Sequence, residues 1–106
     1  MATVEIHSGI CGHITTVKTT GGDAYRVLVT LESTCPHVWK ISGDVDEVDA
    51  LQQIGLRDGL PTVLESAYTH CVHAACPVPS GLIKAIEVEA GLALPQDVSM
   101  RISKEE

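Results

Sequence analysis

The sequence predicts an α+β fold in which strands come first, helices follow and one strand closes the chain. Polar and apolar residues alternate in three segments between 3 and 32, apolar residues recur at helical spacing between 44 and 91, and alternation returns over 97–104. At 106 residues with 44% hydrophobic content, the chain is expected to form one domain, 1–106, around a single core. That core must be aliphatic, because the chain has no Phe and one Trp.

The first half of the chain predicts a three-stranded antiparallel meander. Its alternating segments are residues 3–8, 14–20 and 25–32, and the second is rich in the Thr and Val that strands favour. Gly21 and Gly22 predict a two-residue hairpin loop, since both central positions of such a turn commonly need positive φ. This loop would place Thr20 opposite Asp23.

The second half predicts about three helices and a last strand. Residues 44–47, DVDE, resemble a capping box and start the first helix, which would end at Gly55. Its helical spacing is carried by Val45, Val48, Leu51 and Ile54. A second helix is expected over 61–71, and a third over 79–91, which is apolar nearly all round and should be the central buried helix. The alternating residues Val98, Met100 and Ile102 predict the strand over 97–104.

Charge and hydropathy argue against several classes of partner. The net charge is −7 and the seven Lys and Arg residues are scattered, so we expect no nucleic-acid binding. No segment approaches the roughly 20 apolar residues that a membrane span needs, and the start of the chain lacks a basic stretch followed by an apolar one. We therefore expect a cytoplasmic protein. Cysteines in that reducing compartment more often bind metal or do redox chemistry than form disulfides.

The four cysteines, Cys11, Cys35, Cys71 and Cys76, are expected to meet at one metal centre. The predicted hairpin register places Cys11 opposite about Glu32, so that Cys35 follows closely at the same edge of the sheet. Cys71 and Cys76 bracket a short loop between two helices. Cys76 also precedes a helix start, where free N–H groups and the helix dipole favour a thiolate.

The cysteine-bearing motifs resemble those of a known family. The Cys11-Gly12 step after the first strand, Cys35 after a hairpin, the His70-Cys71 pair before a helix and the helix LIKAI at 82–86 resemble the iron–sulfur cluster assembly scaffolds of the IscU type, including the N-terminal part of NifU. The resemblance covers residues 4–91. It implies an IscU/NifU-like fold, with Cys11, Cys35 and Cys71 as the three scaffold cysteines and His70 as the histidine beside the third. The signature CG, CP and HCxHxACPVP is also similar to that of a group of small uncharacterised prokaryotic single-domain proteins, which implies no activity.

The departures from the scaffold pattern predict that this protein keeps its centre and does not donate it. Where the scaffolds carry an aspartate two residues after the first cysteine, this chain has His13. The scaffolds' Leu-Pro-Pro-Val-Lys stretch is missing, and LPTVL at 60–64 matches it poorly. Cys76 is an additional thiol. Each change should slow the release of a bound cluster.

Four thiolates suit either an iron–sulfur cluster or a tetrahedral zinc ion, since both take soft sulfur ligands. Structural zinc sites usually use closely spaced cysteine pairs, whereas Cys11 and Cys35 each stand alone in the sequence. The spacing therefore favours a cluster, with zinc as the alternative. His70 competes with Cys76 for the place of fourth ligand. A redox or cluster-handling protein would be the expected partner.

Two further interpretations remain open. Cys76 could be a nucleophile of lowered pKa, with His70 or His73 nearby and Cys71 as the resolving thiol. This enzyme hypothesis leaves Cys11 and Cys35 unexplained, and the sequence contains no Ser-His-Asp constellation, phosphate loop or carboxylate pair that suggests a substrate. Alternatively, the cysteines are small buried apolar residues without chemistry.

Overall fold

The protein is α+β, as the sequence predicts. The computed structural model describes residues 1–105, which form a four-stranded antiparallel sheet with strand order β1-β2-β3-β4. The strands are β1 Ala2–His7, β2 Ile14–Gly21, β3 Arg26–Ser33 and β4 Glu47–Asp49. The helices are α1 Pro36–Trp39, α2 Thr62–His70 and α3 Val78–Glu89. Short 3-10 turns cover Asp23–Tyr25, Lys40–Gly43 and Ala50–Gln52.

The alternation of β1, β2 and β3 divides the sheet into two faces. One face is buried and contributes Val17, Val27, Val29 and Leu31, while the other is solvent-exposed and rich in Thr, Lys and Glu. Helix α3 covers the buried face with Leu82, Ala85 and Ile86, which are fully buried. The core is aliphatic, as predicted, and the prediction of α3 as the central helix is confirmed.

Helix α3 lies unusually close to β1 because it carries a glycine at the contact. A Cβ atom on Gly81 would lie 2.4 Å from Cδ1 of Ile6, which is too close for two carbon atoms. At the other end of the helix, Glu89 Oε1 accepts a hydrogen bond from the Ala2 backbone N at 2.7 Å. Helix α3 therefore runs in the direction opposite to β1, and its first turn lies over the end of the sheet where β1 finishes.

The predicted helix over 44–55 is wrong. Residues 47–49 form β4, which pairs with β3 so that Val48 lies opposite Val27. The 3-10 turn that follows begins at Ala50 and is capped by Asp49, whose side chain accepts a hydrogen bond from Leu51 N. The apolar residues at helical spacing were misleading, because Leu51 and Ile54 are exposed. Val and Asp are weak helix formers, and the free edge of β3 offers Val48 a cross-strand partner that a helix would not provide.

The predicted two-residue hairpin loop is also wrong. Gly21 pairs with Val27 and Thr20 with Leu28, so the loop is longer than Gly21-Gly22 and contains a 3-10 turn. The physical reason is the contact with α3: a Cβ on Gly22 would lie 2.6 Å from the Glu89 carbonyl oxygen. Gly22 is needed because the loop touches the end of the helix.

The strand predicted over 97–104 is absent. Residues 94–105 have no regular secondary structure and every one of them is exposed. Alternation alone does not make a strand, since a strand also needs an edge to pair with, and residues 97–104 pair with no strand of residues 1–105. In contrast, α2 and α3 begin and end within two residues of the predicted positions. Within the described residues, no helix has the length and apolar character needed to cross a membrane.

Candidate metal centre

The cysteines lie at the end of the sheet where β1 and β3 finish and β2 begins. Cys11 is in the loop between His7 and Ile14, and Cys35 follows Ser33, the last residue of β3. Cys76 precedes the first turn of α3, which lies over the same end. The shared end was predicted, although the observed strand register differs from the predicted one.

Cys11 lies on an exposed glycine loop. Gly9 and Gly12 have φ values of 88° and 72°, which favour glycine, and Gly12 N donates to Gly9 O at 2.9 Å. This tight turn exposes both Ile10 and Cys11. Its base is tied to the strand beside it, because Ser8 N donates to the His13 carbonyl oxygen at 3.1 Å. The loop has a defined shape but no apolar support.

The segment that carries Cys35 is anchored to β2. Thr34 N donates to the Ile14 carbonyl oxygen at 3.1 Å, and His13 Nδ1 is 3.0 Å from Thr34 Oγ1. The Cys35 backbone N donates to Ser33 Oγ at 3.1 Å. Cys35 is the N-cap of the short helix α1 and is half-buried against the core. The same hydrogen bonds connect the base of the Cys11 loop to the residues before Cys35.

Cys71 and Cys76 frame the turn between α2 and α3. Cys71 follows the last residue of α2 and its backbone N donates to Ala67 O at 2.9 Å. Cys76 N donates to His73 O at 3.2 Å, which closes the turn two residues before α3 begins. Both side chains are half-buried and pack against the aliphatic core.

Three of the four cysteines are close enough to affect one another. Burial raises the pKa of Cys71 to about 12, and the hydrogen bond with the Cys76 thiol and the charges of Cys76 and Cys35 add to this increase. All four cysteines are free thiols. The fold thus brings Cys35 close to Cys71 and Cys76, which lie on the turn between α2 and α3, so that two separate segments contribute the three thiols. Cys11 has no such effect on the pKa of Cys71.

His70 is held by a carboxylate that sequence reasoning missed. His70 Nε2 donates to Asp44 Oδ2 at 2.6 Å, and Ser66 Oγ donates to the same oxygen at 3.2 Å. The hydrogen bond from His70 contributes most, and that from Ser66 adds to it, in holding the pKa of Asp44 below its usual range. Nδ1 is left as the ring nitrogen for any further bond. Because DVDE was interpreted as a capping box, only the spacing of Ser66 and His70, one turn apart on α2, could have suggested a shared partner.

The other histidines have ordinary surroundings. His7 Nε2 is 2.6 Å from Glu5 Oε1 on the exposed face of β1, as expected for a solvated side chain. His37 and His73 are exposed. Trp39, which follows Cys35 closely, is 59% exposed and does not belong to the core.

The sulfur atoms are near one another but do not form a closed metal site. In residues 1–105, no set of three or more His, Cys, Asp or Glu side chains is arranged to hold a metal ion. The chemistry of the donors nevertheless fits a soft metal, since three free thiols from two segments lie together beside the core.

The model of a family of unknown function, DUF6951, matches residues 2–102. The chain belongs to this family. No curated protein and no solved structure matches the chain. The DUF6951 match includes all four cysteines, Asp44 and His70, and it ends at Ile102, inside the exposed tail. The family description assigns no chemistry, so the similarity to IscU-type scaffolds stays a prediction.

Proposed function

We propose that the protein binds an iron–sulfur cluster through its four cysteines and keeps it as a carrier or resident centre. The observation that supports this most is the neighbourhood of Cys35, Cys71 and Cys76, whose thiols are free and half-buried at one end of the sheet. Buried cysteines without chemistry need not meet, and a redox pair needs only two of them. Three neighbouring sulfurs, one beside α1 and two on the turn between α2 and α3, are better explained by a shared metal centre.

The raised pKa of Cys71 is compatible with metal binding. A thiol must lose its proton to become a ligand, and burial beside the other two sulfurs makes the negative charge costly in the free protein. A cation at this position would supply the missing positive charge. The three core-packed thiols would then form the fixed side of the centre.

Cys11 is proposed as the remaining ligand, reached by movement of its loop. The loop belongs to the same end of the sheet, and its base is hydrogen-bonded to the segment that precedes Cys35. His70 is the competing ligand. Because His70 Nε2 is hydrogen-bonded to Asp44, only Nδ1 is left to bind a metal. We therefore propose Cys76 as the ligand in preference to His70.

Reconstitution without oxygen tests the proposal. Protein incubated with ferrous iron and sulfide, then desalted, is expected to be brown, to absorb near 400 nm and to hold iron and sulfide in equal amounts. Cys71→Ser should lose most of both, while Val72→Ser, a change at the exposed neighbouring residue, should retain them. A colourless native protein that binds zinc firmly would instead support the zinc centre. Equal iron in the native protein and Cys71→Ser would refute a cysteine-bound centre.

Whether the protein keeps its cluster is a separate question. His13, which stands at the position of the scaffolds' aspartate, is hydrogen-bonded to Thr34 and so is engaged in holding the loop. Incubation of the loaded protein with an apo-ferredoxin should show slow or absent delivery. Rapid stoichiometric delivery would contradict retention and favour a scaffold.

A thiol-redox function is the second candidate, favoured by the closeness of the Cys76 thiol to Cys71. In this reaction the Cys76 thiolate attacks a disulfide substrate and releases one substrate thiol, which leaves a mixed disulfide. The Cys71 thiolate then attacks the Cys76 sulfur, releases the second substrate thiol and forms the Cys71–Cys76 disulfide. The raised pKa of Cys71 opposes the second step, because a protonated thiol is a poor nucleophile. Rapid oxidation of this pair by glutathione disulfide, with no cluster formed on reconstitution, would favour the redox function.

A further inference from the structure

The free edge of β1 borders an open groove. β1 is the first strand of the sheet, and among residues 1–105 no strand pairs with its outer side. A groove of about 1030 Å³ lies along this edge, between β1, the second half of α3 and residues 95–98. Its walls include Val4 and Val88, so that apolar surface is available beside unpaired backbone N–H and C=O groups. An edge of this kind readily accepts another strand.

The C-terminal tail has the pattern of a strand without a partner. Val98, Met100 and Ile102 are 67%, 76% and 92% exposed, and they share one face of an extended chain. Ser99, Arg101 and Ser103 share the other face. An exposed tail seldom keeps three large apolar residues at alternate positions unless they are covered.

We propose that the tail of a second copy of this chain adds to the free edge of β1 as an antiparallel strand, and that the exchange is reciprocal. This inference does not depend on the metal centre. Both elements are present in every copy, so two chains satisfy each other's edge and tail around a two-fold axis. The assembly closes as a dimer and leaves neither tail available to a third chain.

The two segments are complementary in one antiparallel register. Placing Arg101 of one copy opposite Glu5 of the other sets Met100 beside Ile6 and Ile102 beside Val4. The apolar residues then lie on the face of β1 that is turned towards α3 and the groove, while Arg101 and Glu5 pair on the exposed face. Ser99 and Ser103 fall opposite His7 and Thr3, which are both exposed. Apolar and charged positions match along the whole overlap.

The geometry of α3 favours the tail of another copy over the chain's own tail. Helix α3 ends beside Ala2, where Glu89 accepts the Ala2 N–H. The chain's own tail therefore starts at the beginning of β1, and following β1 directly from there would make it parallel. The complementary register is antiparallel and requires a tail that arrives from the His7 end.

Mass measurements on the full chain test the proposal. Sedimentation equilibrium of the metal-free protein, with a reductant to prevent crosslinking through the exposed Cys11, should give twice the mass of one chain. Met100→Asp and Ile102→Asp should each weaken the dimer by about a hundredfold or more, because two apolar side chains per dimer become charged. Ser99→Asp and Ser103→Asp place the same charge on the polar face and should change the affinity little. A native chain that stays monomeric at all concentrations, or a dimer indifferent to Met100→Asp, would overturn the proposal.

Charge reversal separates exchange between copies from pairing within one chain. Glu5→Arg alone and Arg101→Glu alone should each weaken the dimer. In the homodimer of either variant, residues 5 and 101 carry the same charge at both contacts between the copies. Both positions are exposed, so the fold should be unaffected. An equimolar mixture of the two variants should form a heterodimer, in which both contacts are again attractive. A mixture as monomeric as its components would overturn the exchange, as would a monomer whose β1 amides resist hydrogen exchange because its own tail covers them.

Discussion

Cys71 and Cys11 lie at the same end of the sheet, yet their surroundings differ. Cys71 is half-buried, packs against the core and interacts with two other cysteines, whereas Cys11 is on an exposed turn between Gly9 and Gly12. The difference divides the thiols into a core-packed group and one thiol on a separate exposed loop. In the proposed centre, the core-packed thiols would form the fixed side, and Cys11 would reach them by movement of its loop.

The largest expected effect is the difference in reactivity between the Cys11 and Cys71 thiols. A thiol whose pKa is about 12 is ionised in about one molecule in ten thousand at pH 8. We expect iodoacetamide to modify Cys11 at least about a hundredfold faster than Cys71 in the reduced, metal-free protein. The rate at Cys71 should rise about tenfold per pH unit towards its pKa. Mass spectrometry of timed samples measures both rates, and equal labelling would remove the distinction between the two sites.

Removing a fixed thiol should weaken metal retention more than removing the histidine beside it. Cys76→Ser should release iron or zinc to a chelator at least about tenfold faster than the native protein. Removing a residue that only hydrogen-bonds to a metal ligand already weakens metal affinity by about that factor. The circular dichroism spectrum should be unchanged, because Cys76 lies in a turn. His70→Ala serves as the paired variant. If His70→Ala releases metal fast and Cys76→Ser does not, then His70 is the fourth ligand.

Helix α3, which follows Cys76, is held close to β1 by the contact of Gly81 with Ile6. A substitution at Gly81 should therefore lower the stability of the fold. Gly81→Ala puts a methyl group 2.4 Å from Cδ1 of the buried Ile6. Overpacking of this kind should lower the free energy of unfolding by about 1–2 kcal/mol, more than the gain in helix propensity from Ala. Gly55→Ala is the control, because a Cβ there meets nothing within 4 Å. Urea unfolding of both variants provides the measurement, and a Gly81→Ala protein as stable as the native one would contradict this packing.

The smallest effect is expected at Asp44, which steadies His70 from an exposed position. The lowered pKa of Asp44 means that its contribution to stability is present above the unfolded pKa of about 3.9 and is lost as the pH falls through the folded value. Asp44→Asn should therefore melt slightly below the native protein at pH 6, and the difference should shrink at pH 3 and below. Asp46→Asn is the control on the same segment. A difference that does not depend on pH would show that the Asp44 charge is not involved.

Some elements of the fold were predictable from the sequence and others were not. The strands of the meander, α2 and α3 were predictable because each has one buried face and a clear period. Gly21 also ends β2, and Pro61 and Pro77 immediately precede α2 and α3. The helix predicted over 44–55 does not form, because residues 47–49 pair with β3, which is a tertiary effect. Val45 and Ala50 are buried from the loop before β4 and the 3-10 turn after it. The strand prediction for residues 97–104 failed for the opposite reason. Their local pattern is that of a strand, but pairing depends on a free sheet edge that the sequence does not reveal.

The placement of the cysteines was only partly predictable from the sequence. That Cys11 and Cys35 share one end of the sheet followed from the meander, even though the true register pairs Thr20 with Leu28. The neighbourhood of Cys35, Cys71 and Cys76 depends on how α2 and α3 pack, which spacing along the chain does not specify. The bond between Asp44 and His70 joins residues from two elements, one of which was assigned to the wrong secondary structure.

The most direct test compares iron and sulfide per chain in four single variants, Cys11→Ser, Cys35→Ser, Cys71→Ser and Cys76→Ser, after identical oxygen-free reconstitution. If the three core-packed thiols form the fixed side of a cluster, their variants should lose most of the iron, sulfide and 400 nm absorbance. Cys11→Ser should keep a larger share and release it faster to a chelator. A Cys11→Ser protein that binds nothing, beside Cys35, Cys71 and Cys76 variants that load like the native chain, would contradict the account.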